Sequence, residues 1–259
     1  MVRTIVILFF GGIFTSLVGF SQSKSTSYLD LRNISRFSLN TGLSIFASAK
    51  TTNEYGPYHL SNRNSAGFNL GASYSVIRTE NWVFKTGLTF ATEPDGNFKI
   101  GPYLEGDVIP FFENTTYLSY YSISSITIPL ILQQYFSITK RTYGNIYGSL
   151  NASFLSNSYS NGKTIILNED GTQQQEIFNL VLSNNGEQVR GSVTIGTGAT
   201  FRINKILASI NISYTHNLKE SASGYYRIDQ LFKSPPSGGK YSFTANFIKL
   251  GLEINILNK

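Results

Sequence analysis

Eight segments with strand character, joined by connections that alternate strictly between very short and very long, constrain this chain more than any other feature. They run Phe37 to Ser48, Gly67 to Arg78, Trp82 to Thr92, Ser124 to Ile138, Gly144 to Ser156, Arg190 to Ile203, Ile206 to Asn217 and Lys240 to Ile256. Only Thr79-Glu80-Asn81, Thr139 to Tyr143 and Asn204-Lys205 separate the second from the third, the fourth from the fifth and the sixth from the seventh. Each of the other four connections needs roughly 17 residues or more. In an up-and-down barrel every second connection lies on the same rim, so this alternation describes one trimmed rim and one elaborated rim. Short periplasmic turns and long extracellular loops have that asymmetry. The expected fold is therefore all-β: a membrane-spanning, up-and-down antiparallel β-barrel of eight strands. Ten become possible if Thr164 to Asn168 and Gln173 to Leu182, which otherwise read as an extramembrane hairpin around Glu169-Asp170-Gly171, join the wall.

Side chains alternate across a strand, so each segment should be apolar on one parity. Phe37, Leu39, Leu43, Ile45 and Ala47 oppose Ser38, Asn40, Gly42, Ser44 and Ser48. Ile206, Ala208, Ile210, Ile212 and Tyr214 oppose Ser209, Asn211, Ser213 and Thr215. Parity alone does not say which face is inside, and a soluble barrel would turn the apolar one inward. Charge decides for lipid: only 14% of residues are charged, against roughly 25% in ordinary soluble domains. Aromatics gather at strand ends as two candidate interfacial girdles. Phe37, Trp82, Phe136, Tyr143 and Phe201 form one at the short-turn rim; Phe68, Phe90, Phe154, Tyr214, Tyr241 and Phe243 form the other.

The N-terminus fits export. Arg3 precedes a run from Ile5 to Phe20 that is apolar apart from Thr15, Ser16 and its glycines, and Gly19-Phe20-Ser21 offers a small-residue cleavage site. Gly11-Gly12, Gly19 and the lack of a following charge cluster argue against a spanning helix. The expected organisation is a signal peptide over 1–21, a periplasmic N-terminal tail over 22–36 and the outer-membrane barrel over 37–259. With no cysteine, lipoprotein anchoring, disulfides and thiolate chemistry are excluded.

The formal charge of +6 hides a segregation. The four long loops hold 12 of the 15 acids but 7 basic residues, a net of −5, so the rest of the exported chain is strongly basic. Its bases, among them Arg36, Arg78, Lys140, Arg141 and Lys205, are spread over strand ends and turns rather than clustered, which argues against nucleic acid. On the polar parity, Lys85, Arg202 and Lys249 accompany Glu253, the one acid in a strand core. A lone buried carboxylate costs several kcal/mol, so Glu253 is expected to pair with one of these bases in a filled lumen.

No catalytic constellation is legible. His59, in the first long loop, and His216 are the chain's two histidines; His216 shares its face with Tyr214 and Leu218 and so has no serine at strand spacing. Glu93 with Asp95, and Glu169 with Asp170, read as turns rather than metal ligands; no cofactor or metal is expected. Tyr103, Tyr117, Tyr120 and Tyr121, set among Asn and Ser in the second long loop, have the composition of an adaptable binding surface.

The strand Ser124-Ser125-Ile126-Thr127-Ile128-Pro129-Leu130-Ile131-Leu132-Gln133-Gln134-Tyr135-Phe136 resembles the "(L/Y)-x-IPLLLKY-x-F" strand of the small PorT-like outer-membrane barrels of Bacteroidota. Gly148 to Ala152, Gly196-Thr-Gly-Ala, Leu250-Gly-Leu-Glu-Ile-Asn-Ile and Ser21-Gln22 are similar to the family's later strands and signal ending. The chain departs in ending Leu257-Asn258-Lys259 rather than on an aromatic, and in carrying Gln134 where the family often has Lys. In this resemblance Pro129 implies a tolerated bulge. With no catalytic constellation and with long, tyrosine-bearing loops, the expected function is that of a porin-like, non-enzymatic scaffold or surface-binding protein, or, as the resemblance implies, a secretion accessory; the expected partners are outer-membrane lipid and lipopolysaccharide and secretion-machinery or envelope proteins. The alternatives are a lipid A-modifying barrel enzyme and, third, a secreted soluble β-barrel ligand carrier. N-terminal sequencing of the exported protein should begin at Gln22; an intact Met1 in the inner membrane contradicts the export reading.

Overall fold

The computed structural model describes residues 31–62, 64–94, 97–101, 116–119, 122–156, 161–167, 173–182, 189–229 and 235–257. The expected signal peptide and most of the expected tail lie outside them. Eight strands form the wall: β1 (Ile34–Phe46), β4 (Ser65–Arg78), β5 (Trp82–Pro94), β8 (Ser122–Ser137), β9 (Thr142–Leu155), β12 (Val189–Ile203), β13 (Ile206–Asn217) and β16 (Phe247–Leu257). Each pairs antiparallel with its neighbours, and β1 pairs with β16 from Ile34↔Leu257 to Phe46↔Phe247, closing the barrel. Closure gives every strand two partners and leaves no edge.

The outer face is apolar around the whole ring. Phe37, Leu43, Leu70, Leu88, Leu150, Ile212 and Leu250 are each about half exposed or more, whereas Ser38, Ser73, Ser149, Ser192, Thr200 and Ser209 on the opposite parity are buried. In water such a belt would far exceed the few hundred Å² that soluble proteins tolerate; in hydrocarbon it matches its surroundings. The fold is thus a membrane-spanning eight-stranded barrel with a polar lumen. The ten-strand alternative is not adopted: β10 (Asn161–Leu167) and β11 (Gln173–Leu182) pair with each other outside the wall.

Local chemistry sets the short turns. Asn204 takes a left-handed conformation (φ 54°), which the two-residue link into Lys205 requires and Asn tolerates. The Thr79 hydroxyl accepts a hydrogen bond from the Trp82 N–H at 3.0 Å, and that of Thr139 accepts one from Thr142 N–H at 3.1 Å. Pro129 does not produce the bulge expected of it. The β5–β8 register is the same on both sides (Thr86↔Leu130, Thr89↔Thr127), so no residue is inserted, and the ladder instead lacks the rungs beside the proline, which has no N–H to give.

Two further expectations are corrected at the chain's ends. The barrel starts before Phe37: β1 begins at Ile34, and a single 3₁₀ turn, Leu31–Asn33, precedes it. Leu31 is fully buried in an apolar cluster with Ile34, Val83, Tyr135, Tyr143 and Leu207, which stoppers the short-turn end of the lumen. The Arg78 guanidinium donates to the carbonyls of Leu31 and Ile34 and ties the turn in place. Tyr143 is therefore a stopper residue, not a girdle residue. The last segment, expected as one strand, is two, because Thr244-Ala245-Asn246 breaks it, with Ala245 at φ 52°.

Beyond the long-loop rim, β10, β11, β14 (Ala222–Asp229), β15 (Ser237–Phe243) and β2 (Lys50–Tyr55) form a five-stranded sheet in that order. A second sheet joins β3 (His59–Asn62), β6 (Asn97–Gly101) and β7 (Thr116–Ser119). Tyr241 and Phe243, expected in the girdle, are instead buried on β15, as Tyr226 and Ile228 are on β14, because the five-stranded sheet has its own apolar face to cover; Leu60 on β3 and Tyr58 just before it are buried too. Asn217 makes the joint between wall and sheet: its side-chain amide donates to the carbonyls of Thr244 (2.9 Å) and Ala245 (2.6 Å), and its backbone N–H donates to Asn246 Oδ1 (2.8 Å).

Replacing Leu31 by Ala should cost about 2–5 kcal/mol, as for other buried leucines. Leu39→Ala, on the outer face, should cost less, because lipid fills the space the side chain leaves. Urea unfolding of the barrel refolded into liposomes measures both.

Candidate functional site

The lumen changes character along its length. Below mid-height it is filled by large side chains: Lys85, Gln133, Tyr135, Tyr143, Asn145, Leu207 and Asn255 are all buried there. Lys85 on β5 and Glu253 on β16 reach across the barrel and meet, Nζ to Oε1, at 2.5 Å. Their side chains are 3% and 12% exposed, so the pair is almost wholly withdrawn from water. Asn255 donates to the same carboxylate oxygen at 3.2 Å, and the Lys85 ammonium lies 6.0 Å from the centre of the Tyr135 ring. A buried pair persists only with such added partners, because desolvating each ion costs several kcal/mol.

Above this pair most inward positions are Ser, Thr, Asn, Ala or Gly, with Pro129, Ile131, Tyr147, Arg190 and Lys249 as the larger exceptions, and a cavity of about 150 Å³ remains. It reaches from Glu253, Gln133 and Tyr147 up to Phe46 and Phe247 at the long-loop rim. Its walls are stitched across strands: Thr127 to Ser153 at 2.7 Å, Thr194 to Thr215 at 2.8 Å, and Asn151 Nδ2 to the hydroxyls of Ser192 and Thr194 at 3.1 and 2.9 Å. The Tyr147 ring lies across Gly196, where an added Cβ would fall 2.4 Å from the ring, so glycine is required for the tyrosine to lie flat against the wall. Lys249 lines the same cavity.

Of the residues expected to share one charge network, the structure brings Lys85 and Glu253 into contact and sets Lys249 in the cavity beside Glu253. Arg202 is corrected. It has inward parity, but it falls at the last turn of β12, where the lumen has already ended, and its side chain is exposed. Sequence reading missed Tyr135 and Tyr147; both stand on the polar parity of their strands, a signal that their aromatic character obscured.

Of the loop tyrosines, Tyr103, Tyr120 and Tyr121 lie outside the described residues, and Tyr117 is placed on β7 opposite Lys99. Asp95, Glu169 and Asp170 also lie outside. His59 is exposed on β3, and His216 faces outward on β13 opposite Val193, exposed among apolar neighbours. Among the described residues no three His, Asp or Glu side chains gather as metal ligands. On the five-stranded sheet Lys240 binds Glu54 at 2.6 Å and lies 5.4 Å from the Tyr225 ring centre, tying β15 to β2. The hydrogen bond and charge of Glu54 raise the Lys240 pKa. Being solvent-exposed, the pair serves register more than stability.

Fold and lumen together define a closed, membrane-spanning barrel whose interior is stoppered at one end and hollow at the other. No family model matches the chain, and no curated protein matches its sequence. Solved structures similar in fold include the outer membrane protein OprG from Pseudomonas aeruginosa, at 11% identity and TM-score 0.42, covering 85% of this chain and 95% of that one. Neisserial surface protein A follows at 9% and 0.40, covering 86% and 98%, and the outer membrane protease OmpT from Escherichia coli at 10% and 0.35, also covering 86% and 98%.

Glu253→Gln leaves the Lys85 ammonium buried without its counter-charge and should destabilise the barrel by about 3–5 kcal/mol. Adding Lys85→Met should recover most of that loss. A double-mutant cycle in urea, read by tryptophan fluorescence from Trp82, checks both.

Proposed function

We propose that this protein is a non-enzymatic outer-membrane barrel that acts through its extramembrane β-structure as a scaffold or surface-binding protein. The observation that carries this reading is the distribution of chain: among the described residues, eight of the sixteen strands lie beyond the wall, in two sheets on the long-loop side. A stoppered lumen supports binding rather than passage of solutes. Outer-membrane residence is supported by the fold, because closed barrels with apolar exteriors and one elaborated rim are the outer-membrane form of spanning protein. Its lipid neighbours there are outer-membrane lipid and lipopolysaccharide. A secretion-accessory role beside envelope or secretion-machinery proteins follows from the sequence resemblance to PorT-like barrels.

The lipid A-modifying alternative requires a histidine working with a nucleophile. Replacing both His59 and His216 by Ala should leave the barrel folded and the lipid A mass spectrum unchanged; altered acylation would put the enzyme first. Shortening the connection between Glu93 and Tyr121 should abolish recovery of crosslinked envelope neighbours, since that loop holds the tyrosine-rich contact area. In planar bilayers the purified protein should show no large steady conductance, because the apolar stopper closes the short-turn end; nanosiemens openings contradict it.

A further inference from the structure

We infer that the loop-side half of the lumen is a pocket for a small organic carboxylate, whose anionic end sits on Lys249. This goes beyond the loop-surface reading and stands or falls separately from it.

The charges that line the cavity are Lys249, Arg190 and Glu253. Glu253 is neutralised from below by Lys85 at 2.5 Å. Arg190 stands at the rim, where its Nη1 donates to the Ser221 hydroxyl at 2.7 Å. That leaves Lys249 as a cation with no carboxylate in ion-pair contact among the described residues, in a space walled by protein and, beyond it, hydrocarbon. In such surroundings field lines are poorly screened, and a cavity lined by an excess of one sign concentrates the opposite sign.

The backbone is shaped for this lysine. Gly42 and Gly251 face each other across the β1–β16 ladder, two rungs below the Ser44↔Lys249 pair, with the outward-facing Leu43↔Leu250 pair between them. A Cβ on Gly42 would stand 3.0 Å from the Lys249 Cε, and one on Gly251 would stand 3.3 Å from it. Two bare positions therefore form the track along which the lysine stem lies. Side chains there would force the stem out toward the rim.

Size and wall chemistry narrow the ligand. About 150 Å³ is on the order of ten times the space one water requires, enough for a molecule of several heavy atoms but not for a lipid or peptide. Asn40, Thr127, Asn151 and Thr194 present polar groups, while Pro129 and Ile131 give an apolar strip, so a short carbon body with a hydroxyl and an anionic head fits both surfaces. The closed short-turn end makes the pocket blind, so the ligand enters and leaves on the loop side.

Titrating lactate into the full-length exported protein in zwitterionic detergent tests this, with the ¹³C-labelled lysine ε-methylene signal of Lys249 as the readout. Lactamide, which has the same shape without the charge, choline and inorganic phosphate serve as comparisons. Lactate should shift the signal saturably, and lactamide and choline should not. By calorimetry Lys249→Arg should retain binding and Lys249→Met should weaken it at least tenfold, with folding of each variant verified by its heat-dependent gel shift. Equal responses to lactate and lactamide in the parent protein overturn the inference without any variant. So does unchanged affinity in Lys249→Met, and a response to phosphate in place of lactate overturns the carboxylate assignment.

Discussion

Everything in this molecule depends on closing the hydrogen-bonded ring between β1 and β16. Hydrocarbon offers no partner for a backbone N–H or C=O, so a spanning sheet with a free edge is not viable, and the first and last strands have to meet. Closure then dictates the period-two pattern, because every wall residue faces either lipid or the lumen. It also confines the polar face to a space about eight strands around, where side chains satisfy one another. The cross-strand links from Ser38 to Ser73, from Thr194 to Thr215 and from Thr200 to Ser209, at 2.8 to 3.1 Å, are the result.

Within that confined space, side-chain volume is distributed unevenly, and the asymmetry carries the functional reading. Large residues and an ion pair occupy the short-turn half, while mostly small polar residues, interrupted by Tyr147 and Lys249, line the loop half. A barrel of the same strand number with uniformly large inward residues would be solid; one with uniformly small residues would be a narrow pore. This arrangement gives a wall that holds shape from below and a recess that opens upward, toward the same side as the extramembrane sheets.

Strand number, wall direction and the three short turns were legible in the sequence because they rest on local rules, the alternation of side chains and the length of connections. Glu253's need for a base was legible too, but its choice among bases was not. That choice depends on how far along the barrel axis each residue lies, which only the accumulated register of eight strands determines; Arg202 has the right parity and the wrong height. Tyr143, Tyr241 and Phe243 were misplaced for a related reason, since an aromatic at a strand end reads as interfacial unless tertiary packing claims it. The extramembrane sheet was visible only as the β10–β11 hairpin. Its other pairings join residues as distant as Lys50 and Ser242, beyond the reach of any local pattern.

The 3₁₀ turn at Leu31–Asn33 has a consequence for the order of assembly. Its burial site is built from Val83, Tyr135, Tyr143 and Leu207, contributed by four strands spread over most of the chain, with Leu257 packed alongside. None of these groups surrounds Leu31 until the strands that carry them stand in one ring, so the earliest described residue in the sequence is among the last to find its place. Long-range contacts of this kind repay their loop-closure entropy only once the rest of the topology exists. The turn therefore works as a latch that engages on completion, and its protection from solvent reports whether the barrel has finished folding.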